Sequence, residues 1–300
     1  DWAADAARRD FTINALYCDA DGVVHDPLGG YPDLAARRVR FIGSADQRIA
    51  EDYLRILRFF RFYAEYAGGP PDPEGLAACV RGRAGLATLS AERIRAELLK
   101  LLVAPEAVSA IAAMYDHALL VPILASVPRL PQFVRLTAIE AALSIAADPI
   151  RRLGCLAIHV HEDAGRLGRR LRLSNEETAG LKRLAGSSAS RMSARLEDAD
   201  AKPLLYRMGV CAWRDAAIVQ WAWSAAPDTD AAWLRLARLP DLWPVPVFPV
   251  KGGDLIALGW PPGPQLGETL RRLEEDWIAG GFVGSRDSLL ALARRRLPPV

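Results

Sequence analysis

The segment Glu51-Asp52-Tyr53-Leu54-Arg55-Ile56-Leu57-Arg58-Phe59-Phe60-Arg61 carries the residues best suited to chemistry. Asp52, Arg55, Arg58 and Arg61 recur every three positions, a spacing that makes successive members neighbours on a helix surface. A carboxylate one turn before a guanidinium offers an acceptor beside a donor. Cytosine and adenine each present an exocyclic amine next to a bare ring nitrogen. Asp52 would accept from the amine and Arg55 would donate to the ring nitrogen. Uracil and guanine carry a carbonyl and an N–H there and would leave both contacts unpaired. Polar mismatches of this kind discriminate by about 10⁴–10⁵. The same spacing also fits a plain surface helix, whose salt bridges contribute roughly 0.2–0.5 kcal/mol each.

Other clusters have weaker claims. His159-Val160-His161-Glu162-Asp163 holds metal-ligand residue types, but histidines two apart do not share a helix face, and a polar helix surface is expected there. Trp213, Trp221 and Trp223 could stack bases, yet their apolar neighbours place them in the core. Arg166, Arg169, Arg170 and Arg172 form a basic run that fits an RNA phosphate footprint or a solvated helix face equally well. The cysteines at 18, 79, 155 and 211 form no CxxC pair, so neither a zinc site nor a disulfide framework is indicated, and a reducing cytoplasm is expected.

The elements that position these residues follow from periodicity. Phe11, Ile13, Ala15 and Tyr17 alternate with Thr12, Asn14 and Leu16, which predicts a strand; Asp19–Gly22 is a turn, and Val23-Val24-His25 begins a second strand. From Asp46 the pattern turns helical. Helices are expected over about 47–67, 74–82, 90–103, 105–116, 133–146, 150–171, 175–186, 193–208, 211–224 and 230–238. Ser90 and Ser174-Asn175 supply N-caps, and Gly68-Gly69-Pro70-Pro71 stops the first long helix. Residues 239–264 read as an extended linker with a short helix near Leu255–Ala257, followed by a last helix over 265–279.

The chain has 300 residues, 51% hydrophobic and 25% charged, enough for a substantial core and two or three sub-domains. Its net charge is +2, which does not mark a strongly basic protein. Of its 38 basic residues 34 are Arg, a bias that GC-rich codon usage also produces, so position rather than abundance must carry any argument. No run of about 18 apolar residues predicts a membrane span.

Arg8-Arg9-Asp10-Phe11-Thr12-Ile13-Asn14-Ala15-Leu16, then Asp26-Pro27-Leu28-Gly29-Gly30, then Glu51-Asp52-x-x-Arg55-x-x-Arg58 form an ordered set. It resembles the motif series of class II tRNA nucleotidyltransferases (CCA-adding enzymes) and bacterial poly(A) polymerases. Ser90-x-Glu92-Arg93-Ile94 with Glu97-Leu98, and Gly253–Gly259 with Gly263–Gly267, resemble later parts of the same family. The likeness is dense over 8–65, returns at 88–103 and 252–282, and is weak between.

The resemblance implies a mainly α protein: a short β-hairpin remnant of an α/β nucleotidyltransferase head over 1–45, a base-reading helical neck over 46–128, an RNA-binding helical body over 129–240, and a linker and helical tail over 241–300. It implies that Arg9 and Asp10 lie near the nucleotide's sugar and triphosphate while Asn14 holds local geometry. Asp52 and Arg55 would read the incoming base, Arg58 and Arg61 would touch triphosphate or brace the pocket, and Glu51 and Arg93 would orient their neighbours. The implied substrates are CTP and ATP, the partner tRNA, and the cofactor Mg²⁺. The implied activity is template-independent addition of CCA to tRNA 3′ ends, with poly(A) synthesis or non-catalytic RNA binding as alternatives. The family holds its metals on an Asp-x-Asp pair behind a Gly-Ser turn. Of the three Asp-x-Asp strings here, Asp19/Asp21, Asp198/Asp200 and Asp228/Asp230, none follows such a turn. The expectation is a chain cut off upstream of Asp1, without catalytic or metal-binding residues and inactive as it stands.

Overall fold

A computed structural model describes residues 2–296; the last four positions of the tail lie outside them. The chain divides into two compact units, 1–190 with 218–229, and 191–217 with 230–300. Among the described residues no helix is long and apolar enough to cross a membrane.

In the first unit the expected hairpin is present but short. The strands β1 (Tyr17–Cys18) and β2 (Val24–His25) pair antiparallel around a turn in which Gly22 adopts φ +83°. The strand expected from Phe11 onward is corrected. Phe11 bridges to Phe41 rather than to the hairpin, and Thr12–Asn14 tightens into a 3₁₀ turn. Asn14 Oδ1 accepts from the Phe11 N–H at 3.2 Å and closes that turn. Gly30 packs so tightly on it that a Cβ would stand 2.1 Å from the Thr12 carbonyl oxygen. Alternation over 11–17 therefore reflects a bridge and a turn, not one pleated strand.

Short helices α1 (Trp2–Arg8) and α2 (Tyr31–Ala35) flank the hairpin, and neither was expected. The helix expected over 47–67 is two helices. Ser44 caps α3 (Ala45–Glu51) by accepting from the Gln47 N–H. Asp52 then turns extended, at φ −158° and ψ 107°, and α4 (Leu54–Tyr66) starts afresh. The α4 residues Leu54, Ile56, Leu57, Phe59, Phe60, Tyr63 and Ala64 are buried. Phe59 stacks on Phe41 with centroids 5.4 Å apart, and burial of each such ring contributes about 2–3 kcal/mol.

Against α4 lie α6 (Ala91–Val103) and α7 (Ala107–Asp116), with α5 (Pro73–Arg81) beside α3. Ser90 caps α6 as expected, and Asp72 caps α5. Beyond the short α8 (Val121–Leu124) follow α9 (Leu130–Ala142), α10 (Pro149–Ala157), α11 (Glu162–Arg170), α12 (Asn175–Ala185) and the short α13 (Ser187–Ser190). The helix expected over 150–171 breaks at Ile158–His161. There the Asp163 carboxylate accepts from the His159 and Val160 backbone N–H groups. His159 and His161 face backbone carbonyls of Val127 and Ala185 instead of forming a helix surface. At the centre of this unit Glu140, 2% exposed, accepts from Arg151 and Arg152 at 2.8 Å each.

The second unit includes α14 (Asp198–Met208), the first part of α15 (Val210–Trp223), α16 (Ala231–Leu242), α17 (Gly252–Ala257), α18 (Pro264–Ala279) and α19 (Arg286–Arg295). The last was not expected. A core of Val250, Leu255, Trp260, Leu273, Trp277, Ile278, Leu289 and Ala293 joins α17, α18 and α19, with Tyr206 of α14 packed against it. As read from their apolar surroundings, Trp213 of this unit and Trp221 of the first unit are fully buried. Trp223, also of the first unit, is partly buried and donates to the Cys155 carbonyl within that unit.

Candidate nucleotide-reading site

The break between α3 and α4 determines how the site is built. Asp52 is not on a helix face with Arg55; it is the joint residue itself. Its Oδ1 accepts from the Leu54 N–H at 3.1 Å, and its Oδ2 accepts from Arg93 Nη2 at 2.6 Å. Burial pushes the Asp52 carboxyl up. The Arg93 hydrogen bond, the Leu54 N–H and the charges of Arg93 and Arg55 outweigh it and hold the group below the ordinary aspartate value. Asp52 is therefore an anion with one lone pair still open on each oxygen.

Arg55, in the first turn of α4, is held from the other side. Its Nε donates to Asp10 Oδ1 at 2.8 Å, and its Nη1 donates to the Arg48 carbonyl at 2.8 Å and to Glu51. Burial pulls the guanidinium's pKa down, but Glu51 and Asp10 more than offset it. Its Nη2 makes no hydrogen bond among the described residues, which leaves one edge of a fixed cation free. Glu51 is in turn held below the usual carboxylate range by Arg55 and Arg48.

Asp10 also accepts from Arg58, so one carboxylate anchors two of the spaced arginines. Arg58 lies 3.8 Å from Glu97, which takes Arg61 Nε at 2.6 Å; Arg61 also reaches Glu65 at 2.9 Å. Acids and guanidiniums thus alternate from Glu51 to Glu65. Glu97, 7% exposed, is the member whose place in this row was not expected. Its position four residues after Arg93 on an otherwise apolar face was the available signal. Arg9 stands apart, half exposed and paired with Asp5 at 2.8 Å. Behind the row, the fully buried Asp33 accepts from Thr12 Oγ1 at 2.7 Å, from Arg40 at 3.0 Å and from Arg38. A cleft of about 400 Å³ lined by Thr12, Leu28, Arg40, Phe41, Glu74 and Gly75 contains neither Asp52 nor Arg55.

The described residues do not fit a magnesium site. No three His, Cys, Asp or Glu side chains converge among them. Asp19 holds the hairpin turn and His25. Asp198 pairs with Arg235, Asp228 with Arg135, and Asp230 caps α16. In the basic run, Arg166 and Arg170 bind backbone carbonyls of residues 122–125, whereas Arg172 lies only 3.7 Å from Glu92.

Residues 1–40 match the family model described as the poly A polymerase head domain, and 71–132 match the probable RNA and SrmB-binding site of polymerase A. The mitochondrial CCA tRNA nucleotidyltransferase 1 of Danio rerio is 34% identical over 97% of this chain and 67% of its own length. The fold is shared with the Bacillus stearothermophilus CCA-adding enzyme in complex with CTP, at TM-score 0.66 and 24% identity over 99% of this chain and 74% of that one. The Thermotoga maritima CCA-adding enzyme complexed with tRNA gives TM-score 0.65 and 18% identity, over 99% and 74%. With its fold, its row of acids and arginines and a relative at this identity in agreement, the chain belongs to the CCA-adding enzyme family of tRNA nucleotidyltransferases.

Proposed function

We propose that this chain selects the nucleotide in template-independent addition of C, C and A to tRNA 3′ ends from CTP and ATP. The carrying observation is the pair of opposed clamps. Arg93 holds Asp52 as an acceptor, and Asp10 with Glu51 holds Arg55 as a donor with one free edge. Asp52 accepts from the exocyclic amine, Arg55 Nη2 donates to the ring nitrogen, and U and G leave both unpaired. Arg58 and Arg61 brace this arrangement through Asp10 and Glu97, Asn14 fixes the turn that carries Asp10, and Arg9 remains near the surface for the sugar and triphosphate.

On this reading residues 1–45 end the head, 46–128 form the neck, 129–240 the RNA-binding body and 241–300 the tail. Mg²⁺ is the cofactor that family membership implies for phosphoryl transfer. The four free thiols suit a reducing compartment such as the cytoplasm. A mitochondrial form among the relatives makes a mitochondrial location the alternative.

The test is incorporation from each of the four nucleotides by the full-length gene product on tRNA lacking its CCA. Selective use of CTP and then ATP is expected; U or G incorporation comparable to C overturns the reading. The family models named for poly(A) polymerase favour a second reading, ATP-only extension. Repeated A addition to a primer that is not tRNA would establish it.

A further inference from the structure

The joint that carries Asp52 rests on backbone. The 3₁₀ segment Gly82–Thr88 packs against α3, α4 and α5, and its Gly85 is buried. A Cβ at Gly85 would stand 2.1 Å from Tyr53 Cδ1 and 2.2 Å from Tyr53 Cγ. A Cβ at Gly82 would stand 2.5 Å from Ile49 Cγ2 and 3.3 Å from Ile56 Cδ1. Ile49 of α3, Tyr53 of the joint and Ile56 of α4 therefore all lie directly on this one stretch. Thr88 Oγ1 donates to the Gly85 carbonyl at 2.8 Å and holds it in place.

Where the Tyr53 ring touches is decisive. Cγ is the root of the ring, and rotation about χ2 does not move it. A side chain at position 85 must therefore swing the whole Tyr53 ring about χ1, against the core it packs on, or shift the Tyr53 backbone. Asp52 is the preceding residue, and its Oδ1 is tied to the Leu54 N–H on the far side of Tyr53. A shift of the Tyr53 backbone displaces the carboxylate relative to the Arg55 guanidinium, which Asp10 holds from outside the joint.

We propose that Gly85 is a positioning residue for base selection: its lack of a side chain sets where Tyr53, and through it the Asp52 carboxylate, stands beside Arg55. This rests on the base-reading function proposed above. A packing role alone would lower stability without changing which base is chosen. Displacing a reacting or recognising group by about an ångström costs on the order of a hundredfold.

The experiment uses the full-length gene product on tRNA lacking CCA and compares kcat/KM for CTP and UTP. Gly85→Ala should lower the CTP-over-UTP ratio by roughly a hundredfold. In a Tyr53→Ala background, where the ring is gone, the same change should cost less than about threefold, a non-additivity expected of residues in contact. If Gly85→Ala lowers the melting temperature but leaves the ratio unchanged, or costs the same in both backgrounds, the proposal is overturned. Should Gly85→Ala fail to fold, Thr88→Val frees the Gly85 carbonyl without adding bulk, and an unchanged ratio there also overturns it. A wild-type protein that does not prefer CTP to UTP overturns the base-reading function itself and this inference with it.

Discussion

Arg93 donates to the Asp52 carboxylate at 2.6 Å from 41 residues further along the chain. The two side chains are 49% and 33% exposed, so their ion pair contributes little to folding, about 1 kcal/mol or less. Its effect is on orientation. Arg93→Gln should leave the melting temperature within a few degrees of wild type while lowering incorporation of C relative to U. Equal selectivity in the variant would show that Asp52 needs no partner.

Asp10 makes a sharper case, because both Arg55 and Arg58 donate to it. Asp10→Asn keeps the shape but offers one oxygen where two accepted. We expect kcat/KM with CTP and ATP to fall together, since the proposed function gives Arg55 to both bases. Arg55→Lys should be as damaging, because an ammonium cannot hold Asp10, Glu51 and a base edge in one plane. Kinetics with both nucleotides decide the matter: loss confined to one of them contradicts a shared donor.

Asp33 contributes to stability in a pH-dependent way. Burial pushes its carboxyl up, but the hydrogen bonds of Thr12, Arg38 and Arg40 and the Arg40 charge outweigh this and hold it below 3.8. A folded-state pKa below the unfolded one means that the contribution is complete above the unfolded value and is lost as pH falls through the folded one. Asp33→Asn should cost about 2 kcal/mol at pH 7, where hydrogen bonds to a charged group are lost. The gap between wild type and variant in urea unfolding should narrow below pH 3.8. A gap that widens in acid would reverse the sign argued here.

Glu140 tests the body of the first unit in the same way. It is 2% exposed and neutralises both Arg151 and Arg152, and Arg152 also donates to the Leu102 carbonyl near the end of α6. Glu140→Gln removes the buried carboxylate charge that both guanidiniums share and should cost about 3–5 kcal/mol. A calorimetric melt should fall by roughly 10 °C on the scaling for units of this size. A change of a degree or two would mean that water replaces the carboxylate.

The sequence disclosed the apolar face of α4 and the Ser90 and Ser174 caps because each is a local pattern of period or hydrogen bonding. It did not disclose the break at Asp52. An aspartate can serve either as a helical residue or as an acceptor for the N–H two positions on, and only packing decides which. Here the N–H of Leu54 takes the carboxylate. The bridge from Phe11 to Phe41 and the pairing of Asp10 with Arg55, 45 residues away, are non-local and leave no trace in spacing. Glu97 stood in view among the residues of α6, but its service to Arg61 depends on how α4 and α6 meet.

Because Asp52 occupies a joint and not a helix face, the base selection we propose is not written into residues 51–58 as a portable string. The acceptor takes its place from Arg93 on α6 and the donor takes its place from Asp10 ahead of the hairpin. Grafted onto an isolated helix, those eight residues would become a run of ordinary salt bridges indifferent to any base. New base preferences are then more readily reached by changing what supports the two groups than by replacing the groups themselves.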